Sequence, residues 1–360
     1  MNIVFITSTI NQKGGIERVI SRLSNYFIEK LNYSVDIISV YSKEEKSCFT
    51  LNEKIVVKNL GVEMPKKNSL KSRILKTKEI NKKIKQTLNR DNYDIIITFQ
   101  APISNAILFN TRGLKEKIIV TEHVNYKFYG KLRHIINILN FKKADKLVVL
   151  TKYDQKFYSK FIKNVEIIPN AISFNSQNCC NYSTKKILAV GRIEEAKGFD
   201  YLIDAFKLIS DKYNDWKLQI IGDGSQKQIL NKKVSEYGLQ DRVKIEPFTK
   251  NIKQEYLHAS IYALSSRIEG LPLVLLEAME CGLPIVSFDI EPALAVLKDG
   301  KDSLIATSFN VQEFANKLEV LMQDEREREN YGNKAKKNVQ EYKIDNILLK
   351  WDKLFKMILP

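Results

Sequence analysis

The 360 residues suffice for about two domains at roughly 150 residues each, and 44% hydrophobic with 28% charged residues describes an ordinary globular chain with large cores. No stretch reaches about 18 uninterrupted apolar residues, which excludes a membrane-spanning helix, and the four cysteines (Cys48, Cys179, Cys180, Cys281) show no metal or redox spacing, the adjacent Cys179 and Cys180 being expected to remain thiols in a reducing cytoplasm. The net charge of +16 lies in one half: residues 1–170 hold 31 Lys+Arg against 15 Asp+Glu, and residues 171–360 hold 27 against 27, so a polyanionic partner for the first half is expected, whether membrane surface, nucleic acid or anionic substrate.

The start, "MNIVFITSTINQKGG", lacks a basic region ahead of a long apolar block and reads as a first strand (2–7) rather than a signal peptide. A loop with Gly14-Gly15 leads into a helix pattern over 16–31. Further strand runs follow at 34–42, 55–60, 93–100, 117–123 and 146–151. The turn-rich segment 168–185 reads as a link between domains. The pattern then restarts with a strand at 185–193, a helix at 199–213, a strand at 216–224 and a helix at 227–239 closed by Gly238 as a left-handed cap. "RVKIEPF", "IYALSS" and "LPIVSFD" supply more strands, and 346–359 is an amphipathic helix. Strands alternating with helices predict parallel sheets with crossover helices on both faces. The expected architecture is two doubly wound α/β domains facing across a cleft, residues 1–168, which are basic, and 169–340, followed by the helix of 341–360. Such sheets bind ligands at the carboxyl ends of their strands.

Two places there carry charge. In "VGRIEEAKG" (190–198), Arg192 and Lys197 lie just past a buried strand, where a guanidinium fork and an ammonium suit a diphosphate. The plainer reading is two solvated bases beside Glu194 and Glu195. In "SSRIEGLPLVLLEAMECGLPIVS" (265–287), Pro272 fits the first turn of a helix, leaving the amides of Leu273, Val274 and Leu275 as donors at an anion-binding helix end. Glu269 precedes that helix and Glu277 lies inside it, roughly 7 Å along its axis. The two carboxylates would flank a diphosphate and accept from vicinal sugar hydroxyls. The plainer reading is a structural helix with two surface glutamates.

"EGLPLVLLE" resembles the E-x7-E motif of retaining glycosyltransferases of the GT-B fold. With "VGRIEEAKGFDYLIDAF", "LQIIGDG", "IPN" and "GGIERV" in order, the chain resembles glycosyltransferase family 4, also called glycosyl transferases group 1, from residue 2 to about 355. The resemblance implies a GT-B fold, with residues 1–168 acceptor-binding, 169–340 nucleotide-sugar-binding and the helix of 341–360 returning to the first domain, and assigns roles. Arg192 and Lys197 would neutralise the donor diphosphate, Glu277 would hold the ribose, and Glu269 with Gly270 would hold the transferred sugar beside Leu273 and Val274. The Gly14-Gly15 loop would approach donor phosphate or acceptor, and His123, ending "TEH" (121–123), would stand at the reacting centre. It implies no metal, since no Asp-x-Asp stands at a strand end, and no cofactor. Retention by front-face substitution is expected, the departing phosphate taking the acceptor's proton. Two stretches depart from the family pattern: "FDIEPALAV" has Glu291-Pro292, and "DGKDS" stands where members often read DGxNG, which leaves the donor sugar open.

The segment 64–90 carries ten Lys/Arg and one Glu, Glu79. Leu70, Ile74, Ile80, Ile84 and Leu88 share one side of a helical wheel, so it reads as a crossover helix packed on the sheet, with its basic face either solvated or resting on anionic lipid. The expected partners are a UDP-sugar donor, a polyprenyl-diphosphate-linked saccharide acceptor and an anionic membrane surface, with no nucleic acid. The expected setting is the inner face of the cell membrane, in bacterial capsule, lipopolysaccharide or other polysaccharide biosynthesis. The alternatives are a nucleotide-sugar epimerase of the same fold and a basic nucleic-acid-binding protein. Against the latter, no aromatics interleave the basic stretch; against a dehydrogenase, "NQKGGIE" is not G-x-G-x-x-G.

Overall fold

A computed structural model describes residues 1–12, 14–42, 47–64, 70–89 and 91–359, without the side chains at 70, 71 and 73. The chain divides into two compact units, Met1–Asn170 with Ile344–Pro360, and Ala171–Lys343.

The first unit has seven strands: β1 (Asn2–Thr7), β2 (Ser34–Ser39), β3 (Val57–Asn59), β4 (Ile95–Thr98), β5 (Lys117–Glu122), β6 (Lys146–Val149) and β7 (Val165–Ile167). They form one parallel sheet in the order β3-β2-β1-β4-β5-β6-β7. Its helices are α1 (Gly15–Leu31), α2 (Leu70–Leu88), α3 (Ala101–Leu108), α4 (Lys131–Phe141) and α5 (Lys152–Tyr158). The strands are runs of Val and Ile because helices cover both sheet faces; Ile3 to Ile6 and Ile95 to Ile97 are all buried. They are shorter than the apolar runs. β4 stops at Thr98 because Gln100 already caps α3.

The second unit repeats the plan with β8 (Lys186–Val190), β9 (Lys217–Ile221), β10 (Val243–Glu246), β11 (Ile261–Leu264), β12 (Ile285–Phe288) and β13 (Ser303–Ala306), parallel in the order β10-β9-β8-β11-β12-β13. Its helices are α6 (Phe199–Ser210), α7 (Lys227–Glu236), α8 (Ile252–Leu257), α9 (Leu273–Glu280), α10 (Glu291–Leu294), α11 (Val311–Gln323) and α12 (Glu325–Asn338). Gly238 follows α7 at φ +66°, its amide donating to Ser235 O at 3.1 Å and that of Leu239 to Val234 O at 3.0 Å. Both bonds satisfy carbonyls the helix end would leave bare. The turn-rich segment before β8 packs on this unit: Ser176 N donates to Glu280 Oε1 at 2.8 Å and Cys180 N to Cys281 O at 2.7 Å.

The last helix, α13 (Ile344–Ile358), belongs to the first unit. Ile347, Leu348, Trp351, Leu354 and Phe355 recur at helical spacing and are all buried. Phe355 meets Phe27 of α1 edge to face at 5.4 Å, Trp351 meets it at 6.1 Å, and Tyr33 donates to Asp352 at 2.5 Å.

α2 corrects one expectation. Ile80, Ile84 and Leu88 are buried, but Ile74 is exposed. At 100° per residue it stands about 120° from Ile80, off the ridge that meets α3. Residues 65–69 and 90, and the side chains of residues 70, 71 and 73, lie outside the described residues, and with them much of the basic face expected over 64–90.

Candidate functional site

In each sheet the strand order reverses at one point, between β1 and β4 in the first unit and between β8 and β11 in the second. The loops leaving two such strands diverge, which opens a crevice at their carboxyl ends. The candidate residues follow strands at these points, except His123, which follows β5, one strand beyond β4.

In the second unit, the loop after β8 carries Arg192 and Lys197, and the loop after β11 carries Glu269 and Gly270. The loops are laced together: Arg267 N donates to Ala196 O at 2.8 Å, and Ser265 Oγ to Lys197 O at 3.1 Å. Gly198 permits this approach. It sits at φ +60°, and a Cβ there would lie 2.1 Å from Ser265 O. The Lys197 ammonium lies 2.5 Å from Glu269 Oε1, which also accepts from Ser266 Oγ at 2.7 Å. Lys197 reaches it across the face of Gly191, where a Cβ would lie 3.3 Å from Cε. Arg192 differs: it is exposed, and its side chain makes no hydrogen bond or ion pair among the described residues.

α9 corrects a second expectation. Pro272 is the cap before the helix, not its first residue. Its carbonyl takes the Leu275 amide at 3.0 Å, so Leu275 is not a donor for a ligand. The amides of Leu273 and Val274 have no backbone acceptor among the described residues, as the first amides of a helix do not. Glu277, on the first turn and a half of α9, is buried, and its Oε2 accepts from Tyr256 OH at 3.0 Å. It is therefore not a surface residue. The buried Tyr262 hydroxyl feels both Glu269 and Glu277, and burial first, then these two carboxylates, hold its ionisation far above the usual range. Glu280, buried three residues on, is spent on the turn-rich segment through Ser176.

The sequence reading missed Arg267. Its guanidinium grips Asp200 with two bonds, at 2.8 and 2.7 Å, gives a third to Glu195 O at 2.7 Å, and lies 4.1 Å over the Tyr201 ring. It fixes the Glu269 loop to α6. Its charge was legible; its partner, 67 positions away, was not. The two departures from the family pattern are tied into local structure. Glu291 and Pro292 open α10, and Asp302 accepts from Lys298 N and Asn338 Nδ2, each at 2.8 Å.

In the first unit, Gln100 Oε1 joins the two strands at the reversal, accepting from Thr7 Oγ1 and Ser8 N at 3.0 Å each. Gly14 caps α1 and Gly15 begins it. A Cβ on Gly14 would fall 2.1 Å from Glu17 Oε2, so the glycine leaves space for a buried carboxylate that the sequence reading passed over. His123 follows β5. Its ring stacks on Phe99 at 5.5 Å, and its Nε2 lies 3.0 Å from Thr121 Oγ1. The Thr121 hydroxyl donates to Thr98 O at 2.6 Å, so its one proton is used. His123 must therefore donate from Nε2, which leaves Nδ1 as acceptor. Desolvation pushes this imidazole down to about 4, so it is neutral near pH 7.

Glu122 beside it is buried, accepts from Tyr129 OH on both oxygens at 3.1 and 3.0 Å, and is pushed up to about 8 by burial. Between its ordinary value of 4.5 and about 8, the folded chain holds a proton that the unfolded chain has released. The resulting stability is fully present below about 4.5 and is lost as pH rises through about 8. Glu122→Gln is expected to abolish this slope: melting temperatures from pH 5 to 9 should fall less for the variant than for the parent, and parallel curves would refute the assignment.

Among the described residues, no three His, Cys, Asp or Glu stand close enough to hold a metal ion, and no helix is long and apolar enough to cross a membrane.

Residues 13–175 match the model of Glycosyltransferase Family 4, and residues 177–338 that of Glycosyl transferases group 1. The chain belongs to glycosyltransferase family 4. This family 4 glycosyltransferase is similar along its whole length to an uncharacterized glycosyltransferase of Haemophilus influenzae, 30% identical over 354 residues, covering 96% of this chain and 98% of the relative. It is 28% identical over 360 residues, covering 98% of each chain, to the GalNAc-alpha-(1->4)-GalNAc-alpha-(1->3)-diNAcBac-PP-undecaprenol alpha-1,4-N-acetyl-D-galactosaminyltransferase of Campylobacter jejuni. The crystal structure of a TarM variant from S. aureus, in complex with fondaparinux, alpha-GlcNAc-glycerol and UDP, superposes with a TM-score of 0.79 at 16% identity, covering 99% of this chain and 100% of that one. The enzyme has the GT-B fold, and neither the epimerase nor the nucleic-acid reading finds support.

Proposed function

We propose that this family 4 glycosyltransferase moves a hexose or N-acetylhexosamine from a UDP-sugar, with retention, to a hydroxyl of a polyprenyl-diphosphate-linked saccharide in cell-surface polysaccharide biosynthesis. The observation that carries the donor half is the cluster at the β8/β11 reversal. An ammonium held 2.5 Å from Glu269, the exposed Arg192 and the amides of Leu273 and Val274 together suit a diphosphate. Buried Glu277, steadied by Tyr256, accepts from ribose hydroxyls, and Glu269 from hydroxyls of the transferred sugar. When the anomeric carbon–oxygen bond breaks, its electron pair passes to the diphosphate, where Lys197 and Arg192 stabilise the new charge. The acceptor oxygen bonds to the same face of the carbon, and its proton passes to the departing phosphate oxygen. No metal or cofactor is required in this scheme. Neutral His123, donating to Thr121, offers Nδ1 to a hydroxyl at the reacting centre, and the Gly14-Gly15 loop lies on the acceptor side. UDP in the TarM complex supports the nucleotide, and the PP-undecaprenol substrate in the Campylobacter relative's name supports the acceptor class. The basic first half favours an anionic membrane surface at the inner face of the cell membrane.

A panel of nucleotide-sugars scored for thermal stabilisation, repeated with Glu277→Ala and Arg192→Ala, tests this. A UDP-sugar is expected to raise the melting temperature of the parent and of neither variant. Equal stabilisation of all three would remove the donor site from these residues.

A further inference from the structure

α4 carries apolar residues on two sides, and only one side is covered. Phe141 and Asn137 are fully buried and Ile138 packs on the core, while Leu132 is 73% exposed, Ile135 55%, Ile136 42% and Leu139 58%. The inner face bonds to α3 through amides: Asn105 Nδ2 donates to Asn137 Oδ1 at 2.7 Å, and Asn140 Nδ2 to Asn105 Oδ1 at 3.1 Å. At 100° per residue the four outward aliphatics fall within a stripe of about 100°, the width a helix normally buries. Phe128, in the turn just before, is 54% exposed as well. Five large apolar side chains within twelve residues, four on the helix and one in the turn before it, thus face outward beside a side already buried, and scattered exposure does not produce that pattern.

The charges around this face select its occupant. Residues 123–144 contain Lys127, Lys131, Arg133, Lys142 and Lys143 and no aspartate or glutamate. Lys131 and Arg133 stand about 100° to either side of Leu132, on opposite margins of the apolar stripe. An apolar face edged by cations, with no acid to answer them, repels its own copy. It suits a surface that is apolar inside and anionic at its margin, the boundary of an acidic lipid leaflet.

We propose that α4 and the turn before it are the membrane-docking face of this enzyme, with Phe128, Leu132, Ile135, Ile136 and Leu139 entering the headgroup region and the flanking lysines and arginine resting on anionic headgroups. This relocates the lipid contact from the basic stretch 64–90 to a helix with the apolar side chains an interface requires. It rests on the proposed function only in that a lipid-linked acceptor calls for such a surface. His123 and this face are joined by a short turn, tied by the bond between Tyr126 O and His134 Nε2 at 2.5 Å, so acceptors held in the leaflet would be presented close to the end of β5.

The full chain is floated with phosphatidylglycerol vesicles and with phosphatidylcholine vesicles. It is expected to bind the first at least tenfold more than the second. Leu132→Ser/Ile135→Ser should lose at least tenfold of that binding with an unchanged melting temperature, since both side chains are exposed, and with unchanged stabilisation by UDP. Arg133→Glu should also weaken binding, and more at low salt. Binding of the double variant equal to the parent's overturns the proposal, as does equal parental binding to both lipids. A parent that is dimeric by light scattering and made monomeric by the double change overturns it in favour of a second copy on this face. UDP stabilisation is read separately: its absence with vesicle binding intact would sink the donor reading and leave this one standing.

Discussion

Replacing Lys197 with alanine is expected to lower kcat/KM by about 10²–10³-fold, the usual cost of deleting one fixed charge or donor aimed at a developing anion. The effect should fall mainly on kcat, because the charge on the leaving diphosphate grows only as the glycosidic bond breaks. Lys197→Arg is expected to rescue little of it. The lysine stem passes 3.3 Å from where a Gly191 Cβ would stand, and a guanidinium fork does not fit that slot. Loss of the ammonium also strands a half-buried Glu269 carboxylate with Ser266 as its other partner, so the melting temperature should drop as well. Glu269→Gln in the Lys197→Ala background should restore stability and not activity. The measurement is steady-state kinetics with whichever donor the panel selects. A kcat/KM within threefold of the parent's would remove Lys197 from the leaving-group site.

Phe355→Ala should destabilise the first unit by about 3–5 kcal/mol, as truncation of a fully buried aromatic does. The ring is packed among Phe27, Tyr33 and Trp351, at 5.4, 6.1 and 5.6 Å, and nothing nearby can collapse into the space without moving α13. For a domain of this size the shift in melting temperature is about 10 °C. Removal of the chain after Lys343 should do more, because it bares Phe27 and the hydrophobic side of α1 together. Limited proteolysis would then cleave within the first unit before the second. Cleavage at equal rates in the parent and the shortened chain would show that α13 contributes no stability there.

Much of the donor cluster was legible beforehand because its parts are local. Arg192 and Lys197 follow one strand at fixed offsets, and Glu269, Gly270 and Glu277 surround one helix start. What their spacing left open was state and pairing. Pro272 could be first helical residue or cap, and its ψ of 103° makes it the cap. Lys197 could be free or paired, and its partner stands 72 positions later. Glu17 went unnoticed because a carboxylate in a helix's first turn is ordinary; only the space against Gly14 shows that it is buried.

Periodicity is a poor guide where a helix has only part of its length covered or carries apolar residues on more than one side. The wheel put Ile74 with Ile80 and Ile84, but Ile80, Ile84 and Leu88 are buried in the core and Ile74 is exposed. In α4 the pattern of apolar residues is helical, and it would normally assign Leu132, Ile135 and Leu139 to the core. Phe141 in the core and the amide bonds to Asn105 mark the side that faces in, and Asn105 lies 32 positions before Asn137.

By itself the sequence determined the elements, their alternation, the family and the chemical types at the carboxyl ends of the strands, because strand propensity, capping and motif spacing act over a few residues. The tertiary structure alone decided which charges pair, which carboxylates lose water and which helix presents its oily side outward. Those outcomes depend on what packs against each side chain, and the packing partners come from far along the chain.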